Sequence, residues 1–226
     1  MNLREIFFLI ILAVFVACDK SDTDNPFVVD DDCLRGSGAN VSETRELGNF
    51  TGILNTIPAN VFITQGPLEA VRIEAQANIL EVLKTNVENN TLSIEFDKCI
   101  KELNDVSIHV TIPEINKLIL TGVGDMNMIG DIDVAVLDIS LTGVGNFNLQ
   151  GRAETLNIQL IGVGDVSAFP LLADIGNVNI SGVGNTEVFI SNELNVTITG
   201  VGTVFYKGSP DISSTITGDG AVINAN

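Results

Sequence analysis

The sequence predicts an all-β chain built as a right-handed parallel β-helix with coils of about 20 residues, and three observations carry that reading. The first is a recurring phrase, Thr-Gly-Val-Gly-Asp/Asn in its fullest form, whose leading glycine falls at Gly122, Gly143, Gly162, Gly182, Gly200 and Gly218. The steps between them are 21, 19, 20, 18 and 18 residues, the period of a solenoid whose units stack on one another. The second is the column two residues before each glycine: Leu120, Leu141, Leu160, Ile180, Ile198 and Ile216. The third is the column four residues after it: Met126, Phe147, Val166, Thr186, Val204 and Val222. Stacked coils place such equivalents roughly 4.8 Å apart, so the columns become continuous aliphatic ridges inside the helix.

Before the repeat, the chain opens with a processing segment, residues 1–17. Arg4 precedes Ile6 to Ala17, an uncharged run of twelve apolar residues. That is too short for a membrane-spanning helix and suits a secretory signal. The run ends Val14-Phe15-Val16-Ala17-Cys18, which resembles a bacterial lipobox with Phe15 where leucine is usual. Cys18 is then the expected lipidation site, and a multiply acylated residue would give membrane attachment through a lipid anchor. An ordinary cleaved signal with an incidental cysteine is the alternative. Residues 18–40 carry six aspartates, at 19, 22, 24, 30, 31 and 32, with no apolar period, and read as an acidic flexible tether. It would span roughly 25 Å. Cys33 and Cys99 are the two cysteines left, and in an oxidising compartment an even pair suggests a disulfide, two free thiols being the alternative.

Residues 41–117 lack the glycine phrase yet alternate in short runs, as in Leu92-Ser-Ile94-Glu-Phe96 and Val106-Ser-Ile108-His-Val110, and read as the β-rich first half of the domain. Asn78 to Thr85 suggests one short helical turn. Residues 118–226 form the repeat half. At the carboxyl end no capping helix is evident, so a cap from elsewhere or self-association is expected to cover the last edge.

Within the corner, a glycine of positive φ would break the alternation and is expected to turn Val123, Val144, Val163, Val183 and Val201 inward. Facing outward they would be the best candidate for a homo-oligomer interface. The residue three past each glycine runs Asp125, Asn146, Asp165, Asn185. Carboxylates in a glycine-rich turn could hold calcium. Alternation of Asp with Asn favours instead a structural ladder of hydrogen bonds along the axis, because the two Asp then stand two rungs, about 9.6 Å, apart. No metal, cofactor or catalytic residue is therefore assigned.

The net charge of −18, with only Arg152 and Lys207 against eleven acids in residues 118–226, argues against nucleic acid. His109, the single histidine, sits between inward-facing Ile108 and Val110 and is expected on the solvent side without a catalytic partner. The absence of Trp and the lone Tyr206 weaken a sugar-stacking platform.

Arg45-Glu-Leu-Gly-Asn-Phe-Thr-Gly-Ile53, Ala59-Asn-Val-Phe-Ile-Thr-Gln-Gly66, Asn90-Thr-Leu-Ser-Ile94 and Val110-Thr-Ile-Pro113, leading into the first Thr-Gly-Val-Gly, carry a resemblance over roughly residues 44–226. The chain resembles the putative auto-transporter adhesins with a head GIN domain. The resemblance implies a β-helical fold and a lipoprotein context, and it brings no catalytic residues. The expected function is a non-catalytic envelope lipoprotein of the outer membrane, displayed as a surface adhesin or binding module for a protein or glycan ligand. A periplasmic structural or envelope-sensing protein is the second reading, and a polysaccharide-acting enzyme the third.

Overall fold

In the computed structural model, residues 33–67 and 70–226 are described; the signal segment, Cys18 and the acidic part of the tether before Cys33 lie outside them. From Lys117 onward each coil follows three faces. The first face stacks Lys117–Leu120, then residues 136–141, 155–160, 175–180 and 193–198, then Asp211–Ile216, all parallel and in register. Leu118, Ile139, Ile158, Val178 and Val196 form one inward column of this face, and Leu120, Leu141, Leu160, Ile180 and Ile198 the next. The second face begins after the glycine corner at Met126–Met128 and stacks Met126, Phe147, Val166, Thr186, Val204 and Val222. A shorter third face joins them through residues 132–134, 151–153 and 171–173. The period of two at each strand and the period near 20 along the chain thus produce one object, a β-solenoid with a largely apolar core.

The first half does not simply prefix more coils. Gly52–Asn55 and Asn60–Gln65 form the coil directly beneath the Lys117 coil, with Ile53 against Leu118 and Val61 against Met126. Beneath that lie Thr91–Phe96 and Ser107–Ile112, also parallel. The chain therefore lays down its second coil first, passes to the outermost one, and returns over the top at Lys117. Beyond this level the pairing turns antiparallel: Leu83–Glu88 on Thr91–Phe96, Ala70–Gln76 on Ser107–Ile112, and Asn40–Arg45 on Ala70–Gln76. Reversed, polar-edged strands end the stack at this side. The helical turn is Ala77–Leu80, shorter than expected, and Leu83–Glu88 continues as strand.

One expectation changes here. Residues 33–40, read as the end of a flexible tether, belong to the folded body. Leu34–Arg35 pairs in parallel with Ile100–Glu102, and Arg35 forms an ion pair with Glu102. Buried Gln76 holds the next residues: its Nε2 donates to the Gly38 carbonyl at 3.0 Å, and its Oε1 accepts from the Asn104 N–H at 2.9 Å. The acidic composition that marked the tether stops at Asp32, one residue before the covalent anchor. That anchor is the Cys33–Cys99 disulfide, with Cα atoms 4.7 Å apart.

At the far side, Asp211–Ile216 and Asp219–Asn224 are the last strands, and among the described residues no element covers them. Ile212 and Ile216 continue inward columns yet are 42% and 41% exposed.

Candidate functional site

The corners explain the glycines. A Cβ built on Gly143 would stand 2.0 Å from the Gly122 carbonyl oxygen, and one on Gly162 would stand 2.0 Å from that of Gly143. Backbones of successive coils pack too closely there for any side chain. In the first four phrases the second glycine adds a conformational demand, a positive φ at Gly124, Gly145, Gly164 and Gly184: Gly164 has φ +146°, and its Cβ would lie 1.7 Å from the Gly145 oxygen.

The valines between them face out, which corrects the inward expectation. Val123, Val144, Val163, Val183 and Val201 are 49–53% exposed and stack by parallel bridges. The reason is positional. Where a positive φ occurs, at Gly124, Gly145, Gly164 and Gly184, it falls after the valine, so it redirects the chain beyond that residue and leaves the alternation through Gly-Val-Gly intact. Val201 faces out in the same way beside Gly202, which has no positive φ.

The Asp/Asn column is a hydrogen-bond ladder. The Asp125 Oδ1 accepts both the backbone N–H and the Nδ2–H of Asn146, each at 2.9 Å. Asn146 Oδ1 accepts from the Asp165 N–H at 3.0 Å, Asp165 Oδ1 from the Asn185 N–H at 2.6 Å, and Asn185 Oδ1 from the Thr203 N–H at 3.0 Å. Each side chain thus satisfies a corner amide in the next coil. The ladder starts one rung earlier than the repeat: Asn60 Oδ1 accepts from the Asp125 N–H at 3.0 Å. Pro58 pairs with Val123, which places Ile57-Pro-Ala-Asn60 in the corner register without a single glycine. Buried Asn55 closes that corner instead, its Oδ1 accepting from the Ile57 N–H at 3.2 Å and its Nδ2 donating to the Ala59 carbonyl at 3.1 Å. Among the described residues no cluster of three or more His, Cys, Asp or Glu could hold a metal ion.

A second ladder was legible but unread in the sequence, five residues before each glycine. Asn157 Nδ2 donates to Asp138 Oδ1 at 2.7 Å, Asn177 Nδ2 to Asn157 Oδ1 at 2.8 Å, and Asn195 Nδ2 to Asn177 Oδ1 at 3.1 Å. It forms one wall of a groove of about 580 Å³ along the outer surface of the first face. The other wall lies three residues before each glycine and includes Ser140, Gln159, Asn179 and Thr197. Ile139, Ile158 and Val178 also line it with side chains turned inward, so backbone makes the floor. Asp138 is the only carboxylate and Lys117 the only cation lining it.

His109 is half-buried rather than free on the surface. Its ring stacks on Phe62 with centroids 4.9 Å apart and planes 18° apart, and Arg72 lies opposite it in the neighbouring strand. Burial, and secondarily the Arg72 charge, hold its pKa below the ordinary 6.5, while Glu74 pulls the other way. No helix among the described residues is long and apolar enough to cross a membrane.

Comparison with known proteins agrees with this geometry. Residues 49–210 match the family described as putative auto-transporter adhesin, head GIN domain. A solved structure of a putative adhesin from Bacteroides fragilis NCTC 9343 is similar, with 25% identity and a TM-score of 0.71, covering 84% of this chain and 99% of that one. Another putative adhesin, from Parabacteroides distasonis ATCC 8503, shares the fold at 17% identity and a TM-score of 0.51, covering 86% and 100%. No curated protein matches the chain.

Proposed function

Because the chain belongs to the family of putative auto-transporter adhesins with a head GIN domain, we propose that it is a non-catalytic binding module of the bacterial cell surface, a rigid solenoid held to the outer membrane by a lipid on Cys18. The observation that carries this reading is the repeating outer surface. Corner valines, corner ladder and groove each present the same kind of group at successive rungs, a surface suited to an extended partner. The groove supports binding over turnover. Most glycosidases use two carboxyl groups about 5–9.5 Å apart, and this groove is lined by one.

The test is protease treatment of intact cells with an enzyme that cannot cross the outer membrane, followed by immunoblotting. Loss of the domain supports display outside the cell. Survival in intact cells with digestion after lysis transfers the protein to the periplasm and removes adhesion. Replacing Cys18 by Ala is expected to release the chain from the membrane fraction.

A further inference from the structure

We propose that the groove on the first face binds a linear, uncharged oligosaccharide laid along the solenoid axis, with about one sugar unit per rung. This deepens the binding-module reading and rests on it. The two walls are chemically alike but differently employed. On one, Asn157 and Asn177 are fixed by the ladder, each spending one Nδ2 hydrogen and its Oδ1 on neighbours and keeping a second N–H. On the other, the Gln159 and Asn179 carboxamides and the Ser140 and Thr197 hydroxyls make no hydrogen bond to any described residue. Ordered donors thus face free donor-acceptor groups across a backbone floor. Carboxamides and hydroxyls both give and accept hydrogen bonds, as sugar hydroxyls do, so either partner can satisfy the other without a charge.

Spacing and charge narrow the class. The rungs repeat every 4.8 Å or so, over five strands from Lys117 to Asn195, a track of roughly 19 Å. An extended peptide presents same-face residues about every 6.6 Å and leaves register within two rungs. A hexose unit in a linear chain advances close to one rung, so the units on the Asp138, Asn157, Asn177 and Asn195 rungs each meet a pair of polar walls, while the first rung offers Lys117 and Ile119. Anionic polymers are disfavoured, because Lys117 is the one cation of the groove, Asp138 is its register neighbour, and the chain carries a net −18. With no aromatic side chain lining the groove, recognition would come from hydrogen bonds rather than ring stacking.

The experiment is titration of the full chain, solubilised in detergent, with linear uncharged hexose oligosaccharides from dimers to octamers, in α- and β-linked series. Uronic-acid oligosaccharides and extended peptides serve as counter-probes. Affinity is expected to rise with length and level off once the sugar spans the five strands. The double substitution Gln159→Ala with Asn179→Ala, both on exposed side chains outside the ladder, is expected to weaken binding about tenfold or more. Glu154→Gln, on an exposed side chain outside the groove, should leave it unchanged. Failure of every neutral oligosaccharide to bind, preference for the anionic probes or the peptides, or binding indifferent to the double substitution would each overturn the proposal. The two readings fail separately. Protease survival in intact cells removes the surface role without touching affinity in solution, whereas a surface-exposed chain that binds no neutral sugar removes the groove assignment alone.

Discussion

The two halves of the domain reach the same stacked geometry by different chemistry. In residues 118–226 each corner is made possible by absence: glycines let successive backbones touch, and at the first four corners an asparagine or aspartate supplies the missing acceptor. In the first half the equivalent corner, Ile57 to Asn60, has no glycine, and a buried asparagine does by hydrogen bonding what close backbone packing does elsewhere. The first half also reverses strand direction to end the stack and adds a disulfide. The repeat half has none of these devices and leaves Ile212 and Ile216 open to solvent. A repeat can therefore be read as a set of identical local solutions, while a terminus needs a particular one.

The sharpest way to break the repeat half is Gly164→Ala. The new methyl would sit 1.7 Å from a backbone oxygen that cannot swing away, at a φ of +146° that alanine resists. Steric overlap and backbone strain together place this among the most destabilising single substitutions, more than about 4 kcal/mol. Loss of the cooperative transition in thermal circular dichroism is the expected result. An unchanged melting curve would mean that the corners flex and that the glycine stack is not what sets the coil spacing.

In the first half the largest effect belongs to the covalent staple. The disulfide closes a span of 66 residues, for which chain entropy gives up to about 4 kcal/mol. Cys33→Ser with Cys99→Ser is expected to lower stability by roughly 2–4 kcal/mol. Hydrogen exchange should show first loss of protection at Leu34–Arg35 and Ile100–Glu102, with the repeat coils unaffected.

Two buried polar side chains give a closer contrast. Asn55 has both side-chain polar atoms engaged in its corner, whereas the Thr186 hydroxyl is buried without a partner among the described residues, in a column otherwise filled by apolar residues. Asn55→Leu would reproduce the leucine of the later coils but strand the Ile57 N–H and the Ala59 carbonyl. The expected cost is about 2–4 kcal/mol, from one buried group or two left unpaired. Thr186→Val should instead gain about 1 kcal/mol, a rise in Tm of a few degrees. If both substitutions moved stability in the same direction, burial alone, and not hydrogen-bond satisfaction, would govern these positions.

The same contrast accounts for what the sequence made readable. The repeat coils, their inward columns and the Asp125–Asn146–Asp165–Asn185 ladder follow from a period and an alternation that any stacked coil must obey. The outward set of Val123 and its equivalents was misread because the position of the strained glycine within the phrase, not its presence, decides which neighbour turns. Asn60 and Asn55 escaped because their corner lacks the glycine mark. The inverted order of the first coils escaped because a period of two defines a strand without naming its partner. The groove wall of Asp138, Asn157, Asn177 and Asn195 does carry a signal, a column of one aspartate and three asparagines five residues before the glycines.

The smallest effect tests the first half at His109. Its folded pKa lies below its unfolded value near 6.5, because the ring is partly withdrawn from water, stacked on Phe62 and set opposite Arg72, with Glu74 only partly offsetting these. The unfolded chain therefore binds the proton more readily. The neutral ring's contribution to stability is present above about pH 6.5 and is lost as pH falls through the lower folded value. Carboxylates throughout this acidic chain also titrate on the way down, so the useful quantity is a difference. Chemical denaturation of the parent and of His109→Phe, compared at several pH values, should give curves whose separation is constant at neutral pH and shifts in favour of His109→Phe on acidification. The phenylalanine keeps the stack on Phe62 and has no proton to gain, so a separation independent of pH would mean that the histidine is solvated in the folded protein as it is in the unfolded chain.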